Sequence, residues 1–75
     1  MQRYGNRSGA SGVAAYEIGK ESITVKFTSG ARYLYTDRSA GHANIVRMQE
    51  LAREGQGLST FISQEVREQY ARKLN

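Results

Sequence analysis

Residues 22–36, with the sequence SITVKFTSGARYLYT, carry the strongest structural signal in this chain. In the first half of the stretch, apolar and polar side chains alternate, which is the period of two expected of a half-buried β-strand. Residues 32–36 form a second run rich in strand-forming side chains. Because Ser29 and Gly30 lie between the two runs, the stretch predicts a β-hairpin.

The length of the hairpin loop decides on which face of the sheet two tyrosines lie. With a two-residue loop, Lys26 would pair with Tyr33, and Tyr33 and Tyr35 would form an exposed aromatic and basic platform. With a three-residue loop, Lys26 would pair with Arg32, and both tyrosines would join the buried face. A shift of one residue moves every side chain to the other face.

We favour the three-residue loop, residues 28–30. Such loops commonly end in a residue with left-handed backbone conformation, and Gly30 suits that position. This loop also gathers the large apolar and aromatic side chains of the hairpin on one face, as a buried sheet surface requires. These side chains are Ile23, Val25, Phe27, Tyr33 and Tyr35.

A further strand is predicted over residues 13–18. A four-residue turn at residues 19–22 would place its apolar face against that of the 22–28 strand, with Ile18 opposite Ile23. The two other predicted pairs are Tyr16 with Val25 and Ala14 with Phe27. The same face of the central strand is then buried in both hairpins, which predicts a three-stranded antiparallel meander.

The remaining sequence predicts two amphipathic helices. Residues 37–41 form a connector, in which Asp37 or Ser39 could cap the first helix, and the Gly-Gln-Gly at residues 55–57 ends it. The second helix would run from residue 58 to about residue 73. The apolar stripe of the first helix comprises Ile45, Met48, Leu51 and Ala52, and that of the second comprises Leu58, Ile62, Val66, Tyr70 and Leu74.

These elements define an α+β fold, βββαα, in which both helices cover one face of the meander. Residues 1–12 are rich in Gly and Ser and offer little to bury, so they are expected to form a flexible N-terminal tail. Arg3 and Arg7 could alternatively act as an arm that contacts phosphates. Residues 13–75 would form the single domain.

Composition narrows the possible protein classes. The chain has 75 residues, which suffice for one small domain, and it contains no Cys, so disulfides and thiolate sites are excluded. No apolar run is long enough to span a membrane, and the N-terminus lacks the apolar core of a signal peptide. We therefore expect a soluble cytoplasmic protein.

The net charge of +4 suggests an anionic partner such as nucleic acid. The excess, however, lies near the two ends of the chain. Residues 13–71 contain seven basic and seven acidic side chains. A basic surface on the folded body must therefore arise from clustering on one side.

No catalytic or metal-binding set is evident in the sequence. His42 and Asp37 could form a base with its orienting acid, but Ser39 lies in no recognisable nucleophile motif. One His without Cys does not supply a metal site, and residues 55–57 lack the Lys-Ser/Thr of a phosphate-binding loop. We expect a solvated or capping His42, no cofactor and no metal, and therefore a non-enzymatic module.

Nucleic-acid binding has more support from the predicted hairpin. In the favoured register Lys26 faces Arg32 on the open side of the sheet, and opposed like charges destabilise two strands unless an anion lies between them. The predicted backbone contacts are Lys26, Arg32, Arg38 and Arg47, to which Tyr33 and Tyr35 are added as stacking residues if they are exposed. The alternative interpretation is an ordinary solvated sheet face.

A second functional hypothesis is a protein-interaction module. Unpaired strand edges can add a strand from another chain. In the predicted meander the 13–18 and 31–36 strands each have a free edge, so a homodimer could pair through either of them.

The order of motifs resembles the KTSC domain, a module named for its place at the C-terminus of some lysyl-tRNA synthetases and also found alone in short bacterial proteins. The resemblance covers about residues 11–73 and rests on the pattern I-x-V-x-F-x-S-G-x-x-Y-x-Y, a helix, and then G-x-G-L, F-I, V and Y-A. The matching residues are Ile23, Val25, Phe27, Gly30, Tyr33, Tyr35, Gly57, Phe61, Ile62, Val66 and Tyr70.

The resemblance implies a fold rather than an activity, because most of these positions are core-forming. Many members of the family have Val-Pro after the Y-x-Y strand, where this chain has Thr-Asp-Arg-Ser at residues 36–39, so it looks like the stand-alone branch. The position of the module on a tRNA enzyme implies RNA as the partner, by association.

Overall fold

A computed structural model describes residues 1–6 and 12–74 of the protein. Segments near both described ends of the chain pair with the sheet. The elements are β1 (Gln2–Arg3), β2 (Val13–Gly19), β3 (Ser22–Phe27), β4 (Arg32–Thr36), α1 (Asp37–Ala40), α2 (His42–Glu54), α3 (Leu58–Phe61), a π-helical turn (Ile62–Val66) and β5 (Arg72–Lys73).

The β3–β4 hairpin has the three-residue loop. Lys26 pairs with Arg32, and Val25 pairs with Tyr33. Gly30 has a φ of 97°, a backbone conformation that side chains with a Cβ rarely adopt. The favoured register is confirmed, and with it the inward orientation of the two hairpin tyrosines.

The β2–β3 hairpin matches the prediction near its turn and differs at its far end. Ile18 pairs with Ile23 as predicted, but a β-bulge follows toward the start of β2, so that Val13 rather than Ala14 lies opposite Phe27. The predicted pairing of Ala14 is wrong. The extra residue turns the larger side chain inward, and Val13 is buried in the core.

Two short terminal strands extend the predicted meander to five strands, in the order β1-β2-β3-β4-β5. β1 pairs with β2 and β5 pairs with β4, all antiparallel. Tyr4, directly after β1, is buried in the core, and its hydroxyl accepts a hydrogen bond from the Leu58 amide at 3.3 Å. The structure therefore places residues 2–4 in the sheet and core rather than in a tail. Arg7, the second residue of the predicted arm, lies outside the described residues.

α2 covers one face of the sheet, which we call the inner face. The predicted stripe of α2 is confirmed, since its buried residues are Ile45, Met48, Leu51 and Ala52. The helical region begins differently from the prediction, because Thr36 is the N-cap of α1 and forms a capping box with Ser39 in its first turn. Gly55, with a φ of 76°, ends α2 as predicted.

The second predicted helix is shorter than expected. The helical backbone that starts at Leu58 ends at Val66, and Arg67 has a φ of 43° and a ψ of −112°. The amides of Ala71 and Leu74 instead donate to carbonyl oxygens of β4. The α+β class with an antiparallel sheet is thus observed, with five strands across residues 1–6 and 12–74 and a shorter C-terminal helix.

Candidate nucleic-acid interface

The outer sheet face is the face opposite to α2, and the strand register identifies its residues. Lys73 lies with its ammonium over the ring of the inward-facing Tyr33, so its neighbour Arg72 projects to the other side. Tyr4 is buried, so Arg3 likewise projects outward. The outer face carries Arg3, Ala15, Glu17, Thr24, Lys26, Arg32, Leu34 and Arg72.

Three cationic side chains are aligned across four strands of this face. Arg3 pairs with Ala15, Ala15 with Lys26, and Lys26 with Arg32. Since neighbouring strands lie about 4.8 Å apart, this basic row (Arg3, Lys26 and Arg32) spans roughly 14 Å. Arg3 and Lys26 are exposed and Arg32 is half-buried, so the row is open to solvent.

The row beside it adds one positive and one negative charge. Glu17, Thr24, Leu34 and Arg72 follow each other across β2 to β5. Among the described residues, the ion pairs that form do not involve any cation of the outer face. Four cations and one carboxylate therefore share a solvated surface, and opposed like charges favour an anionic ligand over an empty face.

The structure removes the two tyrosines from the predicted interface. Tyr35 is only 2% exposed, and its burial, together with the nearby Tyr33 and Tyr70, raises the pKa of its phenol to about 12. Tyr33 is half-buried, with its ring centroid 4.6 Å from that of Tyr70 and 5.8 Å from that of Phe27. Stacking by Tyr33 and Tyr35 was predicted only if they are exposed, and in the observed register both rings pack in or against the core.

No aromatic ring is available for base stacking on the outer face. All seven aromatic side chains of the protein belong to the described part of the chain, and each lies in the core or packs against it. They are Tyr4, Tyr16, Phe27, Tyr33, Tyr35, Phe61 and Tyr70. The outer face can therefore contact phosphates but has no platform for unpaired bases.

The structure separates the two other predicted arginines from the basic row. Arg47 lies on the solvent side of α2, where its Nη1 is 3.4 Å from Oε1 of Glu50. Arg38 is exposed in α1, beyond the end of β4. The predicted phosphate contacts of Arg38 and Arg47 are therefore not part of the basic row, since these residues belong to α1 and α2.

Sequence reasoning did not place two cations of the outer face. Arg72 was expected in a helix, and Arg3 in a tail. β1 and β5 contain two residues each, too few to show a period of two. Their position follows from pairing with β2 and β4, which is a property of the tertiary fold.

The pair formed by Asp37 and His42 is the strongest alternative site. Nδ1 of His42 lies 2.8 Å from Oδ2 of Asp37, and the imidazole is 72% exposed. The hydroxyl of Ser39 is used in the capping box and donates to the Thr36 carbonyl. The arrangement orients an imidazole at the start of α2 but places no nucleophile with it, so it supports a structural contact.

Across residues 1–6 and 12–74, no helix is long and apolar enough to cross a membrane, and no His, Cys, Asp or Glu side chains gather as a possible metal site. Comparisons of the chain with protein-family models, curated proteins and solved structures gave no match.

Proposed function

We propose that the protein is a small non-enzymatic module that binds RNA through the outer sheet face. The observation that carries this proposal is the basic row, in which Lys26 and Arg32 lie directly opposite each other and Arg3 continues the alignment. Placing Lys26 and Arg32 side by side costs free energy in the unbound protein. A phosphate between them would convert that repulsion into attraction.

The chemistry of the face suggests how RNA would be recognised. Arg and Lys neutralise phosphates, and this contact carries affinity without reading sequence. Because the aromatic rings lie in or against the core, base stacking on aromatic side chains is not expected to contribute. The expected binding is therefore sequence-independent and strongly dependent on salt. The resemblance to the KTSC domain favours RNA among the possible polyanions.

A titration with fluorescently labelled single-stranded RNA at several salt concentrations tests the proposal. Lys26→Gln combined with Arg32→Gln removes two phosphate contacts, so the slope of log K against log salt should become shallower by about 1.4, at roughly 0.7 per contact. The affinity at low salt should fall by more than tenfold, which is about 1.4 kcal/mol or more.

Arg38→Gln combined with Arg47→Gln is the matched control, because it removes the same net charge from outside the basic row. Binding of this control should stay within about threefold of the original protein. If both double variants lost affinity equally, binding would depend on net charge alone, and the basic row would not be the site. No binding of RNA by the original protein at low salt would contradict the function.

The structure weakens the predicted homodimer through a free strand edge. β1 covers the edge of β2, and β5 covers the edge of β4. Each covering strand is only two residues long, and very short edge strands offer little to another chain. Pairing at β4 would require the chain's own C-terminal strand to leave.

A further inference from the structure

Backbone hydrogen bonds and contacts with the Tyr33 and Tyr35 rings attach the C-terminal strand to the sheet. The Ala71 amide donates to the Leu34 carbonyl at 2.7 Å, and the Leu74 amide donates to the Arg32 carbonyl at 2.8 Å. The Tyr70 ring lies on Tyr33, 4.6 Å between centroids. These contacts are specific, but a two-residue strand at a sheet edge can be released without unfolding the core.

The residue that joins this strand to the preceding helix has a strained backbone. Arg67 has a φ of 43° and a ψ of −112°, and the Gln69 amide closes the turn by donating to the Val66 carbonyl at 2.7 Å. These angles match the first central position of a type II′ turn, where glycine is strongly preferred. An arginine there is under strain, which is relieved if the turn opens.

The hinge has a second conformation that its sequence favours. Residues 67–69 contain no Gly, no Pro and no β-branched residue, so helical backbone is acceptable there. Opening at Arg67 would therefore let helical backbone continue for a few residues past Val66, while Tyr70 and the residues after it keep the strand that pairs with β4.

We propose that β5 exchanges between two copies of this chain, so that β5 of one protomer pairs with β4 of its partner. A second copy is the expected occupant of the vacated β4 edge, because its β5 is the same strand. That strand can form the same hydrogen bonds to β4 and the same contact between Tyr70 and Tyr33. The exchange is reciprocal, as expected of a twofold dimer. Strain at a short hinge favours exchange of this kind, since the hinge relaxes while the contacts are kept.

The proposal goes beyond RNA binding and does not depend on it. Because the chain contains no Cys, single cysteines can be introduced without competing thiols. Leu34 and Arg72 are register partners on the outer face, on β4 and β5. Disulfide between a Leu34→Cys chain and an Arg72→Cys chain, in excess of the amount formed by random collision, would then report exchange of β5.

Thr24→Cys mixed with Leu34→Cys is the matched control. Thr24 and Leu34 are also register partners, but both belong to the β3–β4 hairpin, which has no strained hinge. We expect the exchanging pair to give about tenfold more mixed disulfide than the control pair at about 1 mM protein under mild oxidation, with products assigned by mass.

Two further variants make the experiment decisive. Leu34→Cys with Arg72→Cys in one chain should form the disulfide within the monomer, which shows that the two positions can be joined. Arg67→Gly in the mixed experiment should lower the yield several-fold, because it relieves the strain without opening. A mixed yield equal to that of the control pair, or a yield unchanged by Arg67→Gly, would overturn the proposed exchange.

Discussion

The β3–β4 hairpin and the C-terminal segment from Leu58 to Leu74 both carry a clear sequence period, but only one of them keeps it throughout. In the hairpin, one register fits all three features: the alternation of apolar and polar side chains, the position of Gly30 in the turn, and the burial of the inward-facing side chains. In the C-terminal segment, the four-residue helical period agrees with the backbone only as far as Val66. Beyond that residue the chain forms a sheet edge.

The difference shows where local sequence stops determining structure. β3 lies in the centre of the sheet, so a register error there would bury polar groups and expose apolar ones. The end of the chain has two acceptable partners for its amides, its own helix or the open edge of β4. Tertiary pairing decides between them, and Tyr70 keeps its place on the core in the strand form.

The largest effect is expected at the centre of the hairpin. Ile23 is fully buried, so Ile23→Ala should lower the free energy of unfolding by about 2–5 kcal/mol in urea titrations. Tyr70→Ala should cost less than half as much, because Tyr70 is half-buried on a weakly attached segment. Thr24→Ala on the outer face serves as the control and should stay within about 0.5 kcal/mol. Equal losses at Ile23 and Tyr70 would remove the contrast between the regions.

The centre of this fold could be predicted from sequence, while its edges could not. The inward direction of Tyr35 and the buried stripe of α2 follow from patterns repeated over several residues. The bulge that buries Val13 interrupts the period of two in β2, and β1 and β5 are too short to show a period. The candidate site shows the same division, because Lys26 and Arg32 follow from the hairpin register, whereas Arg3 and Arg72 depend on long-range pairing.

A second test uses the tyrosine at the junction of the two regions. The pKa of Tyr35 is raised to about 12 mainly by burial, and that of an unfolded tyrosine is about 10. Between these values the unfolded chain has released a proton that the folded chain keeps, so stability is intact below about pH 10 and falls as the pH rises toward 12. The total loss should be about 2–3 kcal/mol.

Urea titrations between neutral pH and pH 12 would measure this loss. Tyr35→Phe should flatten the profile, and Tyr70→Phe should flatten it only slightly, because Tyr70 is the smallest of the three causes that raise the pKa of Tyr35, after burial and Tyr33. A profile that Tyr35→Phe leaves unchanged would mean that another group controls alkaline unfolding.

Substituting one turn residue in each region, Gly30 in the hairpin and Arg67 in the C-terminal segment, tests the two backbone conformations directly. Gly30→Ala should destabilise the protein by about 1–2 kcal/mol, because its φ of 97° disfavours any Cβ although the space around it is open. Arg67→Gly should stabilise it by about 1 kcal/mol, since relief of the strained turn exceeds the entropy that glycine adds to the unfolded chain. A loss of stability in Arg67→Gly would show that the turn is not strained.

The smallest expected effect is a change at Lys26 of the hairpin, where stability and RNA binding should change in opposite directions. Lys26 lies opposite Arg32, so Lys26→Gln should raise the free energy of unfolding by about 0.2–1 kcal/mol while weakening RNA binding. The gain should vanish in about 1 M salt, where the Debye length shrinks to about 3 Å. Arg47→Gln is the control, because Arg47 pairs with Glu50 and its loss should not stabilise the protein. A phosphate site in the basic row requires a residue that lowers the stability of the unbound protein but increases its affinity for RNA. If Lys26→Gln lowered both the free energy of unfolding and the RNA affinity, that phosphate site would be contradicted.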